Sequence, residues 1–468
     1  LPKTKYPPLA DSGYSAAPLD ELSLWNGLCK FQHPQYTITA EEFVYLYTVL
    51  DQFFPDLGQH SQLGSDSLVL QQVHEHTHKA CGYPWSAFGC SDKGDALYRY
   101  GLSQIESYYS QYTSIISSTL KDELRLVGKD ARFFRPQDVA SYIEGARLFY
   151  HQNQYIMHQA FTSPVFCRFV TPGQQIPELF RRLHAWNGKC FAADGQSWDA
   201  NFPLIFAQVI ALFRSVHLPA ERVSRYYSQM YNGFTLVGGH LFHLCGQASG
   251  HYNTSIDNSL GQVCAMALHA CRQGILLDDF MQQLLFFCCG DDLIYSDRTN
   301  LFNPRELSDT YASIGMYLEF ENNILNPMTP YSLSFVGVHM LHRVIRGVPC
   351  WLYSIRTMKA RANTVLHKST DPKKLLAKLS SVAQMVFGDE ELFNFVTTAF
   401  HNLCAQFVRE NLISVMDPDV IGCVRSISFP SLLQQYLSWE SFFASHDSLK
   451  HDVLEFCALS DNGLVGCC

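Results

Sequence analysis

The sequence predicts an α+β fold, an antiparallel sheet with helices gathered about it. Three observations point there. Two apolar runs, Leu284–Cys289 and Leu293–Tyr295, flank a single Gly290-Asp291-Asp292, and short apolar runs around a Gly/Asp turn read as a β-hairpin packed on both faces. A second apolar hairpin lies at Leu333–Val338. Helical patterns occur at Ala40–Phe54, Leu204–Phe213 and Pro304–Ile314, and beyond the Gly246–Gly250 loop as far as residue 271, each with apolar residues at helical spacing.

Composition bounds the class. A chain of 468 residues with 47% hydrophobic and 16% charged content is globular and long enough for several subdomains. It holds no uninterrupted apolar run of the length a membrane span needs. The start, Leu1-Pro2-Lys3-Thr4-Lys5, is polar and Pro-rich, unlike a signal peptide, and a first residue other than Met suggests a piece of a longer precursor. The 16 cysteines are irregularly spaced, with no Cys-x-x-Cys pair, and read as reduced thiols in a cytosolic setting. With a net charge of −9, any nucleic-acid contact must come from basic residues gathered locally.

The Gly290 hairpin lifts two adjacent carboxylates out of an apolar sheet. Unpaired they would repel each other and be poorly solvated, so a cation is expected beside them, and a hard divalent ion such as Mg²⁺ suits oxygen ligands. A solvated Asp-rich turn is the plain alternative. The neighbouring segments weigh against it.

His74, His76 and His78 alternate near Cys81 and Cys90, but three alternating histidines do not easily share one tetrahedral ion, and a polar surface segment is the reading. Gly82-Tyr83-Pro84 is a turn. Residues 120–135 carry Lys121, Arg125, Lys129, Arg132 and Arg135 among apolar residues; they form either a charged hairpin or a phosphate-contacting arm. An apolar strand ends in Asp194, with Asp199 five residues on, and Pro203 then opens a helix. After the Gly/Ser loop, Thr254 and Asn258 share one helix face while Ile256, Leu260 and Val263 can pack. From Arg343 to Lys378 run nine Lys/Arg (Arg343, Arg346, Arg356, Lys359, Arg361, Lys368, Lys373, Lys374, Lys378), opposed only by Asp371.

Taken in order, these segments resemble viral RNA-dependent RNA polymerases, most closely those of positive-strand RNA viruses of the picornavirus and astrovirus-like group. Gly82-Tyr83-Pro84 is similar to the template-channel loop. Lys121-Asp122-Glu123-Leu124-Arg125 with Lys129 and Arg132 resembles the basic fingers motif, with Lys129 and Arg132 one residue further apart than in picornavirus-like members. Asp194 and Asp199 match the first palm motif. Ser249, Gly250, Thr254 and Asn258 match the second, and Gly290-Asp291-Asp292 the third. Gly315 falls where the fourth ends its helix, and Phe335-Val336-Gly337 resembles the fifth. The resemblance covers residues 79–340. Where relatives carry a lysine after Gly315, Met316 to Pro330 holds neither Lys nor His.

The resemblance implies a right hand: fingers at 1–185 with an insertion at 205–240, palm at 186–204 and 241–340, and a helical thumb at 341–468. It implies transfer of a nucleotide from NTP to an RNA 3′-hydroxyl with two Mg²⁺, for which Mn²⁺ can substitute, held by Asp194, Asp291 and Asp292. Lys121, Lys129, Arg132 and Arg135 would hold the triphosphate. Asp199, Ser249, Gly250, Thr254 and Asn258 would read the ribose. Gly82, Tyr83, Pro84, Lys373, Lys374 and Lys378 would meet template and product RNA. The expected partners are RNA and NTPs, with a protein primer and other viral replication proteins, in replication complexes at intracellular membranes of the host cytoplasm. The competing readings are a metal-dependent phosphohydrolase or nuclease, which would not need Thr254 and Asn258, and a non-catalytic RNA-binding protein.

Overall fold

The computed structural model describes residues 14–31, 36–121, 123–167, 172–321, 329–345, 348–355, 360–361, 363–364, 371–414 and 416–427. At its centre is a four-stranded antiparallel sheet in the order Leu318–Phe320, Lys189–Gly195, Asp292–Asp297, Leu284–Cys289. Alternate residues of these strands enter two different cores. Phe191, Phe286, Cys288, Leu293 and Tyr295 pack on one side against the helix Thr254–Arg272. Cys190, Ala192, Phe287 and Ile294 pack on the other against the helix Pro172–Trp186, in a core that continues to the helix Pro372–Met385. A strand covered on both faces takes apolar residues at every position, so the runs in the sequence are continuous rather than alternating.

The helices form where the pattern places them, and their ends have local causes. Ala40–Phe53 begins at a capping box, in which the Thr39 hydroxyl accepts from the Glu42 N–H and the Glu42 carboxylate from the Thr39 N–H. Leu204–Arg214 follows Pro203, and Pro304–Ala312 is capped by Asn303. After the latter, Gly315 turns at φ +76°, and a Cβ there would fall 2.3 Å from the Tyr36 ring. One boundary differs from the sequence pattern. Thr254 is the first residue of its helix rather than an interior one, because the loop His251–Asn253 occupies the preceding turn, and its hydroxyl donates to the His251 carbonyl at 2.8 Å.

Residues 119–134 do form a hairpin: Thr119–Lys121 pairs with Arg132–Phe134, setting Lys121 opposite Arg132. Between them Leu124–Leu126 pairs with Tyr14–Ala16. A three-stranded sheet of Ile115–Ser117, Asn232–Val237 and His240–Cys245 lies beside this arm. The second hairpin expected from the sequence is present, Ser334–Phe335 with Val338–Ile345, and the latter pairs on with Val348–Ile355. His74 ends a helix and His76 packs edge-on against Tyr142. Among the described residues the cysteines are free thiols, and no helix is long and apolar enough to cross a membrane.

Candidate active site

The Gly290 hairpin is built by its turn. Cys289 pairs with Asp292, leaving Gly290 and Asp291 as the two loop residues. Gly290 has φ +68° with open space around it, and Asp291 is not in that region. Positive φ at the first central position alone is the pattern of a type II′ turn, whose twist matches that of the strands it joins. Glycine is required here for its backbone freedom and not for room.

The strand Lys189–Gly195 lies beside this hairpin. Its register sets Asp194 directly opposite Asp292, and Glu319 on Asp194's other side. Cross-strand partners project to the same face of a sheet, so both carboxylates leave together. Asp291 stands at the turn beside them, its carbonyl accepting from the Gly195 N–H at 3.1 Å. Burial, then the Asp291 and Asp194 carboxylates, push the Asp292 carboxyl up to about 7, while the Val336 N–H works in the opposite sense. Burial also raises the Asp291 carboxyl, and the Arg132 guanidinium counteracts it.

Three residues past Asp194 the chain turns through Ser197, at φ 49°, into the short helix Trp198–Asn201. This aims Asp199 away from the sheet and at the long helix, where the Asn258 side-chain N–H donates to Asp199 Oδ1 at 3.0 Å. Asn258 Oδ1, which is buried, has no hydrogen-bond partner among the described residues. Burial raises the Asp199 carboxyl, Asp291 adds to the rise, and Asn258, Ser249 and Arg132 oppose it.

The donor set is all oxygen and crowded with negative charge, which suits a hard divalent cation. Among the described residues, however, no three His, Cys, Asp or Glu side chains already converge as a metal cage would. The carboxylates are brought to one place by the backbone; their side chains are not drawn in.

A family model described as viral RNA-dependent RNA polymerase matches residues 10–349. The chain belongs to that family. Curated relatives agree over a shorter stretch. The genome polyprotein of Soybean mosaic virus (strain N) is 31% identical over 139 residues, 28% of this chain and 4% of the polyprotein. That of Watermelon mosaic virus II (isolate USA) is 28% identical over 137 residues, 28% of this chain and 14% of that sequence. The aligned region is thus a small part of each relative's length. The resemblance drawn from the order of motifs is met.

The chain does not present every expected residue at the site. Arg135 is the main correction. It is 0% exposed, with Nε donating to the Thr235 hydroxyl at 3.2 Å and Nη1 to the Gly246 carbonyl at 3.0 Å, so it is not offered to a triphosphate. Arg132 and Lys121 are exposed and share Glu123, at 3.3 and 3.5 Å, and Lys129 is exposed at a turn. Gly82, at φ +77°, is packed so closely on Asp138 that a Cβ would lie 2.6 Å from its Cα; Tyr83 is half-buried and Pro84 buried.

The basic run is less free than its composition suggests. Lys373 bonds to Asp417 and Asp419 at 2.6 and 3.3 Å, Lys374 lies 3.9 Å from Asp371, and Arg361 pairs with Glu391. Lys378 follows one turn on in the same helix. Arg346, Arg356, Lys359, Lys368 and the side chain of Arg343 lie outside the described residues, as do residues 322–328 of the stretch without lysine.

Sequence reasoning missed the residues that hold the site from behind. Ser259 accepts the Gly290 N–H at 2.8 Å, and Gln262 donates to the Asp291 carbonyl at 2.8 Å. The Tyr311 hydroxyl donates to Gln262 Oε1 at 2.7 Å. One turn earlier on the same helix, Asp257 forms a wholly buried pair with Arg214 at 2.7 Å and accepts from Tyr227 and Tyr231. A polar residue at helical positions otherwise buried is the one signal that could have found them.

Proposed function

We propose that this polymerase copies an RNA template into RNA, joining the α-phosphorus of each NTP to an RNA 3′-hydroxyl, in the replication of a viral RNA genome. The observation that carries this reading is the register pairing of Asp194 with Asp292, with Asp291 at the adjoining turn. Asp194, Asp291 and Asp292 would hold two divalent ions, Mg²⁺ with Mn²⁺ as a substitute. Bound there, such ions supply Lewis-acid stabilisation of the attacking and leaving oxygens.

The chain's own residues do the rest. Lys121, Lys129 and Arg132 bind the triphosphate; Arg132, whose charge reaches both Asp199 and Asp291, is the nearest in effect. Asp199 holds the Asn258 amide group, leaving Asn258 Oδ1 to accept from the ribose 2′-hydroxyl beside Ser249, Gly250 and Thr254. Phosphoryl transfer asks mainly for such positioning and charge neutralisation. Met316 to Pro330 holds neither Lys nor His, so water or a group from elsewhere protonates the leaving pyrophosphate.

The same reading divides the chain as a right hand. Fingers take 1–185 and 205–240, the palm 186–204 and 241–340, and the thumb 341–468. Gly82, Tyr83 and Pro84 guide the template, and Lys378 with the partly neutralised Lys373 and Lys374 faces the product. A protein primer, other viral replication proteins and a site at intracellular membranes of the host cytoplasm complete the proposal. Extension of a labelled RNA primer on an RNA template, with four NTPs and Mg²⁺, tests it. Template-dependent products are expected; degradation of the primer instead would mark a nuclease.

A further inference from the structure

Arg135 has no place at the triphosphate, yet its surroundings are elaborate for a buried cation. It grips both ends of the Gly246–Gly250 loop. Its side chain donates through Nη1 to the Gly246 carbonyl at 3.0 Å, and its own carbonyl accepts the Gly250 N–H at 3.2 Å. Pro136 continues the contact as a bridge to Gly250. Neither glycine has room for a side chain, because a Cβ on Gly246 would lie 2.7 Å from the Ala200 carbonyl oxygen, and one on Gly250 2.8 Å from Pro136 Cα. Nε is held by the Thr235 hydroxyl, and the guanidinium lies 5.0 Å from the centre of the Phe31 ring. Inside the gripped loop, the Gln247 N–H donates to the Asp199 carbonyl at 2.7 Å. Upstream, Arg135 is one residue beyond the strand Arg132–Phe134.

We infer that Arg135 is a positioning residue for sugar selection, clamping the Gly246–Gly250 loop so that Asp199 and Asn258 stay in register with the arm that carries Arg132. The inference rests on the ribose-reading role proposed above. A buried guanidinium suits the task because it is rigid, always charged and able to bond in two directions at once. It ties the arm to the Asn232–Val237 strand and to the loop, through partners 100 and 111 residues away in sequence. If the clamp slackens, the loop and Asp199 backbone shift together, and a site built to meet a hydroxyl loses its advantage over one that ignores it.

The test compares incorporation efficiency for CTP and dCTP by the full chain, as wild type, Arg135→Lys, Arg135→Met and Thr235→Val, with a melting curve for each. Arg135→Met should narrow the CTP preference by about tenfold, chiefly through the constants for CTP. Arg135→Lys, which keeps one donor for Gly246, should recover part of it, and Thr235→Val should fall between wild type and Arg135→Met. Were Arg135→Met unable to fold, a narrowed CTP preference in folded Arg135→Lys and Thr235→Val relative to wild type decides for the inference, and an unchanged one against it. An unchanged CTP/dCTP ratio in the folded variants, with rates falling alongside melting temperature, would show a mere brace and overturn the inference. Absence of extension by the wild type would instead overturn the polymerase reading.

Discussion

Asp194 and Asp292 are direct partners across two antiparallel strands of the central sheet, and they leave it on the same face. Their apposition is costly without a cation. The Asp292 carboxyl, ordinarily near 3.8, is pushed up to about 7 by burial and by its two acidic neighbours. A carboxyl whose pKa is higher when folded binds its proton more tightly in the native state. It therefore costs nothing below the unfolded value, becomes destabilising as pH rises through that value, and reaches its full cost above about 7. In chelator, Asp292→Asn should be more stable than wild type at pH 8, by on the order of 2 kcal/mol, and equal to it near pH 4. Denaturant melts across pH check this; a gap that does not vary with pH would contradict it.

Divalent ions should reverse the same penalty. At pH 8, added Mg²⁺ should raise the melting temperature, by an amount that grows with the logarithm of its concentration once sites fill. The shift should shrink as pH falls below about 7, where protons compete for Asp292. Asp194→Asn and Asp291→Asn should each remove most of it. Thermal shift with Mg²⁺ against chelator measures the effect, and equal shifts in wild type and both variants would place the ion elsewhere.

Asn258 should discriminate between sugars. Its N–H₂ is committed to Asp199 and its Oδ1 is buried with no partner among the described residues, an arrangement that favours a hydroxyl donor. Asn258→Ala should lose more activity with CTP than with dCTP, narrowing the preference by about tenfold or more, equivalent to ~1.4 kcal/mol. Were Asn258 only a brace for its helix, both substrates would suffer equally.

Gln262 should act on rate rather than on RNA binding. It links the Tyr311 hydroxyl to the Asp291 carbonyl, at 2.7 and 2.8 Å; Gln262 and Tyr311 are buried and Asp291 is half-buried. Gln262→Ala strands a buried hydroxyl and a carbonyl, costing about 1–3 kcal/mol of stability, and frees the turn that carries Asp291. Turnover should fall with little change in RNA affinity. Tyr311→Phe should show a milder form of both effects.

Much of this was legible in the sequence, for physical reasons. The Gly290 hairpin declared itself because strands buried on both faces must be apolar throughout, and because the turn needs glycine. That Asp199 and Asn258 belong to one site was implied by the resemblance, and the structure joins them by a hydrogen bond of 3.0 Å. Arg135 was misread because a run of basic residues gives no hint which one will be buried. Its partners Thr235 and Gly246 lie 100 and 111 residues away. Lys373 looked unopposed for the same reason, its acids being Asp417 and Asp419 in another helix. Ser259 and Gln262 resemble any polar residues of a helix until that helix is seen to be buried from Ile256 to Ala270.

The most direct measurement is primer extension by Asp291→Asn. The substitution keeps shape and leaves the backbone contacts of the turn to Gly195 and Gln262 in place, so the protein should stay folded and RNA binding should stay close to wild type. Elongation with NTPs and Mg²⁺ should fall by several orders of magnitude, as expected when charge that stabilises the transition state is removed. Near-wild-type elongation by a folded, RNA-binding Asp291→Asn protein would contradict the assignment of this site.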